Sequence, residues 1–247
     1  MAKKRLDLIL NERLPQYSRR QIQSWIMQGK VSSNGKILDK PGTMLDDAVP
    51  LQHNFEEPKY VSRAGFKLEA ALHHFNIDVK GLVVLDAGLS TGGFTDCLLQ
   101  HGAAKVYGID VGYGQVSDKI RHDPRVVVME RINLRELFDV GQKVDLITLD
   151  LSFISVLKVM ESVVSLLKLD GKLIVLIKPQ FEAEKHEVGR GGIIKDQAIH
   201  ERVKQKIIDG IVKYGFSCGG VIESPLEGAT GNKEFLAYFE RGISSAY

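Results

Sequence analysis

Residues 83–99, VVLDAGLSTGGFTDCLL, constrain the fold more than any other part of the chain. The apolar run Val83-Val84-Leu85 ends at Asp86, a glycine-bearing turn covers Ala87 to Gly93, and a helical pattern opens at Phe94. That succession reads as a buried parallel strand, a tight loop and a helix start. It brings bare backbone to the C-terminal edge of a sheet, where open α/β folds bind nucleotides. The glycine spacing narrows the ligand. A dinucleotide fingerprint is G-x-G-x-x-G, whereas three residues separate Gly88 from Gly92 here.

The loop therefore suits a ligand that approaches closely but carries no diphosphate. S-adenosylmethionine, an adenosine with a cationic sulfonium and an amino-acid tail, has that chemistry. The contacts expected to hold it are Asp86, Gly88, Ser90, Thr91, Gly92, Gly93 and Phe94. A second strand, Lys105 to Ile109, ends at Asp110, 24 residues beyond Asp86. A carboxylate at that place meets ribose hydroxyls in nucleotide folds; otherwise Asp110 caps the following turn. Asn133, after the third strand, either reads the adenine edge or caps the next helix.

A chain of 247 residues with a 44% hydrophobic share can bury a sizeable core in one or two domains. No apolar run approaches the ~20 residues that span a bilayer. Met1 to Arg5 carry charge with no apolar stretch behind them, so no secretory signal is expected. Cys97 and Cys218 lie far apart and form neither a disulfide framework nor a zinc site. Both are read as reduced, and the protein as cytoplasmic. The seven histidines, His53, His73, His74, His101, His122, His186 and His200, show no metal spacing with acids or cysteines, and no metal is expected.

Net charge is only +2, but residues 1–40 hold nine basic residues against three acidic ones. A one-sided basic segment is the footprint of phosphate binding, or simply a solvated face. Within it, 5–13 and 18–28 carry helical apolar spacing, Ser18 is placed to cap the second helix, and Asn34-Gly35 signals a hairpin. Trp25 lies on the apolar stripe of Ile22 and Ile26 and is read as core. Residues 1–57 thus make a small module. Asn54 to Lys59, polar and proline-bearing, reads as the linker, set near 54–60.

This first module resembles the S4 RNA-binding module. The matching residues are Arg5-Leu6-Asp7, Ser18-Arg19-Arg20, Ile26, Gly29-Lys30-Val31, Asn34-Gly35 and Lys40-Pro41. The resemblance implies that Arg19, Arg20 and Lys30, with Arg5, face structured RNA through phosphates and groove shape.

From 61 to 247 helical patterns alternate with short apolar strands near 82–86, 105–109, 126–129, 145–149 and 172–178. Helices are expected at 62–75, 154–167 and 196–214. This is an α/β, doubly wound parallel sheet of Rossmann-like type. The last two runs, 217–222 and 233–239, are joined only by a loop and should pair antiparallel. Residues 240–247 read as a frayed end.

Asp150 and Lys178 stand at C-terminal strand ends, on the edge that carries the glycine loop. Read alone, Asp150 could make an Asx turn and Lys178 could snorkel. Lys67 and Glu234 could be solvated charges. Taken in order and context, Lys67, Asp150, Lys178 and Glu234 resemble the Lys-Asp-Lys-Glu tetrad of FtsJ-type ribose 2′-O-methyltransferases. The S4 module, Ser62-Arg63-Ala64-Gly65-Phe66-Lys67, Asp110-Val111-Gly112-Tyr113-Gly114-Gln115, Asp150-Leu151-Ser152-Phe153 and Lys178-Pro179-Gln180-Phe181-Glu182 together resemble the TlyA family. That resemblance implies S-adenosylmethionine-dependent methylation of cytidine 2′-hydroxyls in ribosomal RNA, with ribosomal subunits as partners. It also brings a historical hemolysin label. Leu89 stands where the common family form has alanine, and is expected beside the methionine moiety. Arg63 and Arg190, the latter in the loop Gly189–Gly192, are expected to contact RNA. In the expected chemistry Lys178 is the base, Lys67 lowers its pKa, Asp150 orients it and Glu234 holds Lys67 or the ribose. The rival readings are a membrane-active hemolysin and an RNA-binding protein with an inactive methyltransferase half.

Overall fold

The structure is a computed structural model, described over residues 3–56, 58–228 and 230–242. The chain divides into two compact units between Pro58 and Lys59.

The first unit contains β1 (Lys3–Arg5), α1 (Leu6–Arg13), α2 (Arg19–Met27), β2 (Val31–Ser33), β3 (Lys36–Ile37), β4 (Met44–Asp46) and β5 (Gln52–His53). Ser18 starts α2 with a capping box: its Oγ accepts from the Gln21 amide, and the Gln21 side chain accepts from the Ser18 amide. Asn34 and Gly35 both take positive φ (48° and 77°) and close the β2–β3 hairpin, as a two-residue turn matched to strand twist requires. β1 pairs with β4, and β5 pairs with β2. Neither pairing is legible in the sequence, because strands of two or three residues show no alternation. Leu6, Leu10, Ile22, Trp25, Ile26 and Val31 form the core. Phe55, read as linker, instead stacks on Trp25 with ring centroids 4.4 Å apart, and the Asn54 amide donates to the Lys30 carbonyl. The segment therefore still belongs to the first unit's packing.

The second unit contains α3 (Ala64–His74), β6 (Val83–Ala87), α4 (Gly93–Gln100), β7 (Lys105–Asp110), α5 (Asp118–Arg121), β8 (Val126–Glu130) and β9 (Val144–Leu149). It continues with α6 (Met160–Leu166), β10 (Leu167–Ile177), α7 (Pro179–Glu182), α8 (Gln197–Val212), β11 (Phe216–Glu223) and β12 (Phe235–Arg241). The sheet order is β11-β12-β10-β9-β6-β7-β8. Strands β10, β9, β6, β7 and β8 run parallel, while β12 is antiparallel to both β10 and β11. This is the expected Rossmann-like sheet closed by an antiparallel pair. Successive residues serve opposite faces: Ile147 and Leu173 pack with Met160, Val163 and Ile207 on one side, and Leu146 and Ile174 pack with Leu68, Leu98 and Phe94 on the other. Both faces are covered, so the strands read as continuous apolar runs.

One helix differs from expectation. Residues 156–159 form a 3₁₀ turn, α6 is only seven residues, and Leu167 is already strand, opposite Val144. Val156, Val159, Met160, Val163 and Leu166 are all buried; apolar spacing of three and four does not distinguish 3₁₀ from α over so short a stretch. Of the tail read as frayed, β12 reaches Arg241, and residues 243–247 lie outside the described residues.

Candidate active site

The glycine loop brings bare backbone to the sheet edge. Gly88 sits at φ 92°, and a Cβ there would collide with the Asp150 carbonyl, so β6 and β9 end against one another through bare backbone. The Ser90 amide donates to Asp110 Oδ2 at 2.7 Å, and the Gly112 amide to Asp110 Oδ1 at 2.7 Å. The Asp110 carboxylate is thus fixed at the strand end with lone pairs to spare. Around it opens a cleft of about 360 Å³, lined by Gly88, Ser90, Asp110, Gln115 and Asp150 and by the apolar side chains of Ile109, Ile132 and Leu134. Its size, its apolar walls and its few polar groups are those of a small-ligand site. An apolar slot beside a strand-end carboxylate is the surface an adenosine group needs, so the residues fit S-adenosylmethionine.

Several expected cofactor contacts lie elsewhere. Asp86 is fully buried; its oxygens accept from Thr95 Oγ1 (2.7 Å) and Thr148 Oγ1 (2.9 Å). Burial pushes its carboxyl up to about 6, assisted by the Asp150 charge and opposed by the two hydroxyls. Asp86 therefore ties β6 to β9 and α4 rather than touching the cleft. Gly92 and Gly93 are packing glycines: a Cβ would meet Ile120 at the first and Ser62 Oγ at the second. Phe94 is core, and Thr91 gives its carbonyl to the Ser117 amide; neither lines the cleft. Leu89 is 2% exposed, packs against Gly108 and does not line the cleft. Asn133 borders the cleft, but its Oδ1 accepts from the Arg135 amide and Nδ2 donates to Glu136, so the side chain is used as a cap.

A second cleft, about 420 Å³, adjoins the first and shares Ser152 and Phe153 with it; Lys178, Gln180, Phe181 and Glu234 complete its wall. The tetrad meets here as two ion pairs. Lys178 Nζ lies 2.6 Å from Asp150 Oδ1 and 2.9 Å from Ser152 Oγ. Lys67 Nζ lies 2.5 Å from Glu234 Oε2, and Glu234 is only 3% exposed. Local structure explains each position. Lys178 closes β10 and Pro179 fills the first position of α7, where its missing N–H costs nothing. Glu234 precedes β12, anchored by Asn232, whose side chain bonds the Ile194 amide and the Gly192 carbonyl. Lys67 rides on α3, whose first turn approaches α4 closely because Gly93 leaves no Cβ in the way of Ser62, Ala64 and the Gly65 amide, while Gly65 makes room for the Tyr60 ring.

Three wall residues were not singled out by the sequence reading. Ser152 holds Lys178. Gln180 Oε1 is buried with no hydrogen-bond partner among the described residues. Phe153 has φ 63° and is 90% exposed, with Phe181 4.9 Å away. Positive φ on an aromatic residue is a local signal that only a structure supplies, and such outliers gather at functional sites.

In the first unit, Asp7 is fully buried beneath two arginines. Arg5 Nε lies 2.9 Å from Oδ1, and Arg19 Nε and one terminal nitrogen lie 3.0 and 2.9 Å from Oδ2. Gln23 adds a bond of 2.6 Å. Despite the cost of burial, these bonds hold the Asp7 carboxyl well below the usual range. Both guanidinium groups remain half exposed. Arg20, Arg63 and Arg190 are exposed, and Lys30 pairs with Glu56 at 3.3 Å.

The chain matches the S4 domain over residues 4–48 and the FtsJ-like methyltransferase family over residues 60–241. Fold and site thus define a methyltransferase domain joined to an S4 domain. Within that class the chain belongs to the TlyA family: it is 42% identical to the 16S/23S rRNA (cytidine-2′-O)-methyltransferase TlyA of Mycobacterium tuberculosis, covering 95% of this chain and 88% of that one. It is also 42% identical to Hemolysin A of Brachyspira hyodysenteriae, covering 95% and 99%. A solved structure, "Putative hemolysin from Streptococcus thermophilus", superposes with TM-score 0.75 at 39% identity, covering 99% of this chain and 90% of that one. Among the described residues no helix is long and apolar enough to cross a membrane.

Proposed function

We propose that this chain methylates the 2′-hydroxyl of cytidine in ribosomal RNA, using S-adenosylmethionine. One observation carries the reading: the Lys178–Asp150 pair stands where two clefts meet, one suited to an adenosyl group and the other bordered by Lys67–Glu234. The cofactor supplies an electrophilic methyl group on a sulfonium. No metal is called for by that chemistry, and the remaining work is positioning and proton removal.

Asp110 and the Gly88–Ser90 backbone hold the adenosyl ribose. Lys178, its Nζ fixed by Asp150 and Ser152, first releases its own proton to water and then, as the neutral amine, takes the 2′-hydroxyl proton. Lys67, aimed by Glu234, stabilises the developing oxygen charge. The apolar face of Phe153 supports a base turned out of its stack, and Gln180 Oε1 accepts from an amino group or hydroxyl of that nucleotide. Residues 1–57 form the RNA-binding module and 61–247 the catalytic domain; Arg5, Arg19, Arg20, Lys30, Arg63 and Arg190 meet phosphates. The protein works on ribosomal subunits, in the cytoplasm.

The test is to incubate the protein with methyl-labelled cofactor and separated ribosomal subunits, then digest the RNA to nucleosides. Label in 2′-O-methylcytidine supports the reading; label on a base, or none in either subunit, contradicts it. The hemolysin alternative predicts leakage of liposomes by the pure protein.

A further inference from the structure

All seven histidines were set aside as metal ligands on sequence spacing, yet the fold brings two of them to one carboxylate. Glu69 and His73 lie one turn apart on α3 and so share a face. His101 caps the C-terminus of α4, which packs against α3. Glu69 Oε1 lies 3.9 Å from His73 Nε2 and 4.0 Å from His101 Nε2. All three donor atoms fall within 4.8 Å of one another.

The tautomer is decided by a neighbour. His101 Nδ1 lies 2.8 Å from the Cys97 carbonyl oxygen, which can only accept, so Nδ1 carries a proton, and in the neutral imidazole the lone pair is on Nε2, the nitrogen nearer Glu69. A ligating histidine fixed through its other nitrogen by a backbone carbonyl is the usual outer support of a metal site. We propose that Glu69, His73 and His101 bind one zinc-class divalent ion, with water in the fourth position, tying α3 to the end of α4. Two imidazoles and one carboxylate suit zinc. Bonds of about 2.0–2.2 Å require donors roughly 3.3 Å apart, so the two histidines each close on Glu69 by about 0.6–0.7 Å and on one another by up to about 1.5 Å, a rotamer-scale movement for His73, which is 69% exposed.

One competitor is present. The Lys59 ammonium pairs with the same Glu69 oxygen, but Lys59 is half exposed and can return to water. The site is separate from the catalytic one. Lys67 and Glu69 are two residues apart on α3, which places them on opposite sides of the helix, and Lys67 faces Glu234. The ion would therefore act on the stability of the α3–α4 pair, not on methyl transfer itself.

The full chain, stripped with chelator, is titrated with zinc chloride by calorimetry and followed by thermal melting. One ion per chain with a Kd near or below about 10 μM is expected, and a rise of a few degrees in Tm at saturation. His73→Ala and His101→Ala should each weaken binding at least about tenfold while leaving the metal-free Tm of His73→Ala unchanged. Lys59→Gln should tighten it. Cobalt in place of zinc should give visible bands of a four-coordinate N/O site. Absence of binding at 100 μM zinc, or equal binding by wild type and the His73→Ala protein, overturns the proposal. Should His101→Ala fail to fold, the exposed His73 carries the test alone.

Discussion

Asp7 in the first unit and Asp86 in the second are both completely buried, and the two are held in opposite ways. Asp7 lies under Arg5, Arg19 and Gln23, and its carboxyl is driven well below the ordinary range. Asp86 is pushed up to about 6 by burial, against which it has the hydroxyls of Thr95 and Thr148 and the Thr95 amide but no cation, with the nearby Asp150 charge adding to the rise. Burial alone raises a carboxyl pKa, and charged donors reverse the sign. The difference follows the work of each unit. On the proposed function the first presents fixed cations to a polyanion and keeps an anion beneath them. The second holds a strand end and a loop in register, which hydroxyl bonds achieve without a cation.

The largest expected effect separates the units by function. Lys178→Ala should lower methyl transfer by about 10²–10⁴ fold, the usual worth of a positioned base, with RNA affinity within about twofold of wild type. A matching loss of RNA affinity in a filter-binding assay would show that Lys178 is a binding residue and blur the contrast between the units.

Acid should then act on the two units with opposite signs. Asp86 has a raised folded pKa, so the folded state holds its proton while the unfolded one loses it between about pH 4 and 6. Stability falls by up to about 3 kcal/mol as pH rises through that window and is flat above it. Asp86→Asn should remove this slope in urea melts of the full chain followed by probes in the second unit. Asp7 has a lowered folded pKa, so its contribution is complete above about pH 4 and is lost on further acidification. The first unit should therefore melt at a less acid pH than the second; simultaneous melting would break the comparison.

Asp7→Ala comes next, at about 2 kcal/mol of destabilisation, much of it recovered because both arginines can turn to water. RNA affinity should also drop, since the guanidinium groups lose their common anchor. The smallest effect is Arg20→Ala. It removes one exposed cation, so affinity should fall a few-fold and the slope of log K against log salt by roughly one; an unchanged slope would remove Arg20 from the RNA face.

The sheet was legible because buried parallel strands leave unbroken apolar runs, as at Leu173 to Ile177, and the two ion pairs proposed for catalysis because their members stand at strand ends or in recognisable motifs. What escaped depends on three-dimensional closure. Gly92 and Gly93 have the look of a ligand loop, yet they serve close packing against Ile120 and Ser62. Asp86 sits one residue too deep to reach the cleft it helps to form. Leu89 turns to the space that Gly108 leaves. The short pairings β1–β4 and β2–β5 give no periodicity, and Phe55 looks like linker until its ring is seen against Trp25. Glu69 and His73 do carry helical spacing, but their third partner arrives from another helix.

The claim at the centre is that Lys178 and its partners act on a sugar hydroxyl. Once the modified cytidine is mapped, a synthetic RNA fragment carrying 2′-deoxycytidine at that one position tests it. The deoxy fragment should bind as tightly as the all-ribose fragment and take up no methyl group, whereas incorporation of label into it would place the chemistry on the base.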